Sequence, residues 1–252
     1  MKYLLLGLVQ GLTEFLPVSS SGHLVLFQSF LNVPESIAFD TVVHLATGLA
    51  VILYFWQEII SLFTTQRKML WLLIVATIPT GLMGFLLKDY FEAMFSSASA
   101  VGFFLILTAV FIFLGEWIGK GRRGLREMGI WDALFIGVAQ GCAIAPGLSR
   151  SGTTISASLG RGFDRSFAAR FSFILSIPAI LGAGLLQSKA IIKAGTLGIG
   201  FAPLVIGFLA ALFSGLIAIK FFMALIQRTS IRVFAYYCLA VGFFVILRAL
   251  VF

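Results

Sequence analysis

Charge is what this sequence has least of. Asp, Glu, Lys and Arg make up 11% of its 252 residues and hydrophobic residues 60%, more apolar surface than a soluble domain of this size needs. Cysteine is nearly absent too. Cys142 and Cys238 lie far apart in apolar surroundings, which excludes a disulfide framework and a cysteine metal site and leaves two small hydrophobes. Lys2 precedes an apolar run, but no small-residue cleavage signal follows, so the first segment is expected to stay in the mature protein. What the chain does have is apolar runs near the length of about 20 residues that a helix needs to cross a bilayer, with a mean hydropathy of +1.07. Lys and Arg number 18 against 10 Asp and Glu. The excess sits mainly between the apolar runs, which is the pattern of cytoplasmic loops and argues against nucleic acid as a partner.

Six long runs, about 38–63, 69–88, 98–119, 166–188, 197–226 and 231–252, are expected to be transmembrane helices. The basic connections at 64–68 and 119–130, with Arg161, Arg165, Arg170, Arg228 and Arg232, belong in the cytoplasm by the positive-inside rule. Residues 89–97 then lie outside; Lys189, Lys193 and Arg248 also fall there and run against the rule. Two further stretches are too short to span. Residues 1–16 and Leu24–Leu31 flank Pro17 and read as a re-entrant helical hairpin entering from outside, the alternative being one helix kinked at Pro17.

A repeat organises the rest. Gly7-Leu-Val-Gln-Gly11 matches Gly137-Val-Ala-Gln-Gly141, and Pro17 with Ser19-Ser-Ser-Gly22 matches Pro146 with Ser149-Arg-Ser-Gly152. Thr77-Ile-Pro79 echoes Ser176-Ile-Pro178, and Gly102 through Lys120 echoes Gly200 through Lys220. The chain thus reads as one membrane domain of two halves, about 1–125 and 126–252. Three spans per half invert the second copy, so its hairpin enters from the cytoplasm and the two broken segments meet near the midplane.

These segments hold the residues able to do chemistry. Gln10, Thr13, Glu14, Ser19, Ser20, Ser21 and His23 crowd one apolar stretch; such groups need a polar cavity or one another. Arg150 lies in the second loop among Ser149, Ser151, Gly152, Thr153 and Thr154. An arginine at membrane depth calls for an anion, and its planar fork suits phosphate oxygens. The surrounding hydroxyls, Ser21 among them, and the glycine N–H add donors. A plain Arg150–Glu14 ion pair locking the hairpins is the alternative, and it is compatible with a phosphate clamp in the empty state. His23 can act as general acid, general base or phosphoryl acceptor, and a neighbouring hydroxyl as nucleophile. Glu14 and Gln10, four residues apart on one helical face, can offer oxygens to Mg²⁺ or Ca²⁺. His44, with Asp40 at i−4, reads first as a structural hydrogen-bonded pair, with a secondary site role as the alternative.

At these residues the chain resembles a family. Gln10 through His23 and Pro146-Gly-Leu-Ser-Arg-Ser-Gly-Thr-Thr154 look like the two signature motifs of the undecaprenyl-diphosphate phosphatases of the bacitracin-resistance type. The likeness extends through Phe39–Trp56 and the Phe171-Ser-Phe run before Pro178. It implies hydrolysis of undecaprenyl diphosphate to the monophosphate and inorganic phosphate, recycling the lipid carrier of cell-wall synthesis at the plasma membrane, with bacitracin resistance as a consequence. It also implies a divalent cation and essential roles for Glu14, Ser20, His23 and Arg150. The family's first motif allows Glu or Gln at its start. Gln10 leaves one carboxylate fewer, so the substrate's phosphates would complete a metal shell. The expected chemistry is in-line attack on the terminal phosphorus by Ser20, His23 or water, reached from the external face. A lipid transporter using the same site is the alternative, since paired re-entrant loops also serve carriers. The likeness of Ser149-Arg150 to type 2 phosphatidic-acid phosphatases is read as convergent, because no histidine follows Arg150. A homodimer is compatible with the sequence.

Overall fold

The computed structural model describes residues 1–95, 98–194 and 198–251, nearly all of them helical. In chain order the helices are α1 (Lys2–Phe15), α2 (Ser20–Phe30), α3 (Ile37–Tyr54), α4 (Trp56–Thr64), α5 (Arg67–Leu86), α6 (Lys88–Phe95), α7 (Ala98–Ile118), α8 (Ile130–Cys142), α9 (Arg150–Gly160), α10 (Arg165–Ala194), α11 (Phe201–Arg228) and α12 (Arg232–Val251). Six of them, α3, α5, α7, α10, α11 and α12, are long and apolar enough to cross a bilayer. The chain is an all-α polytopic membrane protein.

The six spans fall where hydropathy puts them, with two differences. The run 38–63 is two helices, because the backbone turns at Phe55 (φ −100°, ψ 25°), whose buried ring packs on Tyr54 and Phe173. The run 166–188 continues to Ala194 as one 30-residue helix. Of the predicted outer connection 89–97, most is the short helix α6; residues 96 and 97 lie outside the described part.

Four of the six shorter helices form two pairs, α1–α2 and α8–α9, and glycine decides how closely they pack. A Cβ on Gly7 would stand 2.5 Å from the Gly207 carbonyl oxygen, and one on Gly11 would strike Ser214 and Ala211, so α1 lies backbone to backbone along α11. A Cβ on Gly137 would strike the Ala76 carbonyl and one on Gly141 the Met83 sulfur, so α8 lies along α5 in the same manner. The repeated Gly-x-x-x-Gly is therefore a packing surface, the same in both halves. The two later echoes are different. Pro79 sits on the second long helix of its half and Pro178 on the first of its own, and Gly102 and Gly200 likewise open non-equivalent helices.

Thr41 hydrogen-bonds Gln187 at 2.8 Å, while Gly48 lies against Ile180, so α3 and α10 run antiparallel. The basic connections gather at one end of the bundle. Lys68 donates to the Arg126 carbonyl, Arg123 to the Arg161 carbonyl and Arg165 to the Thr229 carbonyl, at 2.6–2.7 Å. Asp132, near the start of α8, binds Arg123 and Arg161, each at 2.7 Å, and takes the Gly129 N–H. Glu116 on α7 binds Arg165 and the Ile231 N–H, which ties α7, α10 and the α11–α12 link together.

Candidate active site

The tips of the two short-helix pairs touch at the centre of the bundle. Ser151 donates its hydroxyl to the Leu16 carbonyl at 3.1 Å, and Gly152 faces Pro17 so closely that a Cβ would stand 3.2 Å from its ring. Each tip is built the same way. Ser19 caps α2 by accepting from the Gly22 N–H at 3.3 Å, and Ser149 caps α9 by accepting from the Gly152 N–H at 3.1 Å. In both, the cap serine's hydroxyl lies 3.3 Å from that of the serine two residues on, Ser21 or Ser151. The residue between the paired serines is Ser20 in one half and Arg150 in the other, and both reach Glu14. Ser20 donates to Glu14 Oε2 and Arg150 Nη2 to Oε1, each at 2.5 Å. The sequence packs a hydroxyl, a carboxylate and a guanidinium onto one point from two halves of the chain.

Glu14 is buried, and Gln10 completes its shell, donating Nε2 to Oε2 at 2.9 Å. Arg150 keeps a second donor, Nη1, that is buried and meets no acceptor. A buried donor on a cation that lacks a partner is costly, and an acceptor atom placed beside it would remove that cost. The space for one is there. A cavity of about 340 Å³ is lined by Glu14, Ser19, Ser20, Ser21, His44, Ser149 and Arg150. Leu24, Val25, Ile144, Leu148, Ile180 and Ala183 add apolar surface, and Glu35, Asp40 and Gln187, at the ends of α3 and α10 away from the basic connections, add polar groups at its rim. Polar groups beside apolar ones suit an amphipathic ligand.

The structure separates the expected site residues into two sets. Glu14, Ser20, Ser21, Ser149 and Arg150 line the cavity. Ser151, Gly152, Thr153 and Thr154 do not: Ser151 and Gly152 hold the tips together, Thr154 bonds the Arg150 carbonyl and Ser172, and Thr153 is buried in α9 with its hydroxyl unpartnered. His23 also lies outside the cavity. Its Nδ1 takes the Ser19 carbonyl at 2.8 Å and its Nε2 meets the Tyr237 hydroxyl of α12 at 2.7 Å, the two rings stacked. Since a carbonyl only accepts, Nδ1 carries the proton and Nε2 accepts from Tyr237. This clamp holds Ser19, a non-glycine residue at φ +69°, in the left-handed region that costs about 1–3 kcal/mol. That turn aims Ser20 at Glu14.

His44 is placed differently from its first sequence reading. It does not bond the Asp40 carboxylate: its Nδ1 bonds the Asp40 backbone carbonyl at 2.8 Å, and Asp40 instead accepts from Gln28 at 2.9 Å. Its Nε2 points to Glu14 Oε2, 3.8 Å away, on the cavity wall. The Asp40-x-x-x-His44 spacing was the signal for this residue, but the partner on the other side comes from α1 and is invisible in that spacing.

The donors fit a resident divalent cation poorly. Among the described residues no three His, Cys, Asp or Glu side chains meet as ligands. Glu14's oxygens are engaged by Arg150, Ser20 and Gln10, and Gln10 turns its nitrogen to Glu14 while its Oε1 stays buried without a partner. The oxygen pair expected of Glu14 and Gln10 is therefore not assembled.

Fold and cavity define a polytopic membrane protein with a polar pocket and a buried guanidinium inside its helix bundle. Residues 3–244 match the family of the bacitracin resistance protein BacA, and the chain belongs to that family. It is 44% identical over 255 residues to a Halothermothrix orenii protein named undecaprenyl-diphosphatase, covering 100% of this chain and 98% of the relative. A Carboxydothermus hydrogenoformans protein of the same name is 46% identical over 243 residues, 95% of this chain and 93% of the relative. One from Methanosphaera stadtmanae is 40% identical over 271 residues, 98% and 97% of the two chains.

Proposed function

We propose that this chain is an undecaprenyl-diphosphate phosphatase that releases inorganic phosphate and returns the monophosphate carrier to cell-wall synthesis. One observation carries the reading: a single buried carboxylate, Glu14, holds the Ser20 hydroxyl on one oxygen and Arg150 on the other, and Arg150 keeps a buried donor free. Arg150 Nη1 takes a terminal phosphoryl oxygen, and Glu14 Oε2 withdraws the Ser20 proton as Oγ attacks phosphorus. The bridging P–O bond breaks, undecaprenyl phosphate departs, and water hydrolyses the phosphoserine. The N-termini of α2 and α9, whose first residues Ser20 and Arg150 line the cavity, stabilise the added negative charge. Any divalent cation belongs in this scheme on the diphosphate rather than on the protein.

The halves are read as inverted repeats with re-entrant hairpins. The antiparallel α3 and α10, the shared tip design and the tip-to-tip contact support this. The gathered basic connections support a cytoplasmic end opposite the cavity rim, hence an external opening.

Phosphate release from undecaprenyl diphosphate by purified protein in detergent tests the activity. Wild type turns over, and Ser20→Ala and Arg150→Ala each lose at least about 10²-fold. Equal rates in all three would end this reading. Carriage of the headgroup across the bilayer is a second reading, favoured by the meeting of two hairpins; movement of labelled lipid across sealed vesicles by Ser20→Ala protein would support it.

A further inference from the structure

The two histidines of this chain are held alike at one nitrogen and differ at the other. In each, Nδ1 donates to the main-chain carbonyl four residues earlier at 2.8 Å, Ser19 for His23 and Asp40 for His44. A carbonyl cannot donate, so in each neutral ring Nε2 bears the lone pair. His23 spends it on Tyr237, away from the cavity. His44 presents it to the cavity, 3.8 Å from the oxygen of Glu14 that also holds Ser20, with 34% of its side chain exposed there.

We propose that His44 is the proton-transfer residue of the hydrolysis: Nε2 takes the Ser20 proton by way of Glu14 and delivers it to the departing polyprenyl phosphate. The inference rests on the phosphatase reading. As Ser20 Oγ bonds to phosphorus, its proton passes to Glu14 Oε2 and on to His44 Nε2, and Glu14 stays the anion that Arg150 needs. As the bridging P–O bond breaks, the leaving oxygen takes the electron pair of that bond and the proton from His44. In the second step His44 receives a proton from the attacking water, and the serine oxygen, leaving phosphorus, is reprotonated through Glu14. The ring ends each turnover neutral, as it began.

Glu14 reaches toward His44 from α1 across the carboxylate that Arg150 of α9 neutralises. Asp40 on its own helix and Glu35 on the link before it line the same cavity, α2 and α10 present the neutral Gln28 and Gln187, and α11 packs on α3 through Gly207 and Gly215. Two carboxylates and one ion pair therefore surround the ring.

The test is full-length His44→Gln in detergent, with undecaprenyl diphosphate and with an undecaprenyl aryl phosphate diester whose nitrophenolate leaves without protonation. Glutamine keeps a polar head in place and carries no proton. On the natural substrate kcat falls about 10²-fold with KM within twofold, and the pH profile of turnover changes shape. On the aryl ester the loss is under tenfold, which also shows that the variant is folded. His44→Gln at wild-type kcat with the wild-type pH profile would overturn the proposal, and so would equal loss on both substrates, the mark of a merely structural histidine. If wild type releases neither phosphate from the diphosphate nor nitrophenolate from the ester, the phosphatase reading itself fails and the inference falls with it. A collapse that instead follows Tyr237→Phe, with His44→Gln silent, would give the role to His23.

Discussion

Glu14 is the residue on which both halves of the chain act. It accepts from Gln10, Ser20 and Arg150 at once, and neutralising it leaves a buried guanidinium uncompensated. Removing one partner of a buried pair costs about 3–5 kcal/mol. Glu14→Gln is therefore expected to lower the unfolding temperature in detergent as well as abolish phosphate release, and Arg150→Ala, Glu14→Gln together to recover part of the stability and none of the activity. The stability of the three variants, read by thermal unfolding, checks this. Tyr237→Phe should do the reverse of an active-site change. It strips the buried His23 Nε2 of its donor at a cost of about 1–3 kcal/mol, and the pH profile of turnover should keep its shape.

At the scale of elements, the glycines of the repeat set how deep the short helices sit. Gly137→Leu drives a branched side chain into the backbone of α5 at Ala76. Overpacking of this kind costs about 1–3 kcal/mol, and here it also tilts α8, whose C-terminal loop leads to Arg150. Gly81 and Gly182, which face open space, are the matched controls: leucine there should leave unfolding temperature and turnover within error. This is also the scale at which the sequence was most legible. Hydropathy alone marks α5, α7, α10, α11 and α12, because a helix in lipid must hide every peptide group and announces itself as an unbroken apolar run. The break at Phe55 carries no such mark; neither glycine nor proline makes it, only the packing of one ring between Tyr54 and Phe173. The motif residues were legible as a set but not by task. Ser20 and Arg150 sit in the cavity while Ser151, Thr153 and Thr154, one turn or less along the same helix, point into protein. Spacing within one helix places residues on a face; it does not tell which neighbour covers that face. The same limit hides His44, whose counterpart lies on α1.

For the whole molecule, the bundle has two unlike ends. One gathers Lys68, Arg123, Arg161 and Arg165 into contacts with carbonyls and with Asp132 and Glu116; the other holds the cavity rim. Protein placed in sealed vesicles with known orientation should release phosphate on the side away from the basic end, and a phosphate sensor trapped inside or added outside reads which. The arginines that pair with Asp132 are partly exposed, so each contributes about 0–1 kcal/mol. Asp132→Ala should cost about 1–2 kcal/mol and leave KM unchanged.

The contact between Glu14 and Arg150 spans 136 positions of chain, and that interval has a meaning for biogenesis. The acid emerges from the ribosome long before its guanidinium exists, and a lone carboxylate at bilayer depth is expensive. The opening segment is therefore expected to wait at the lipid boundary until α9 is made, its insertion closing the assembly rather than starting it. A nascent chain stalled before residue 149 and carrying Leu6→Cys should react with a water-soluble maleimide, and the finished protein, in which Leu6 is fully buried, should resist it.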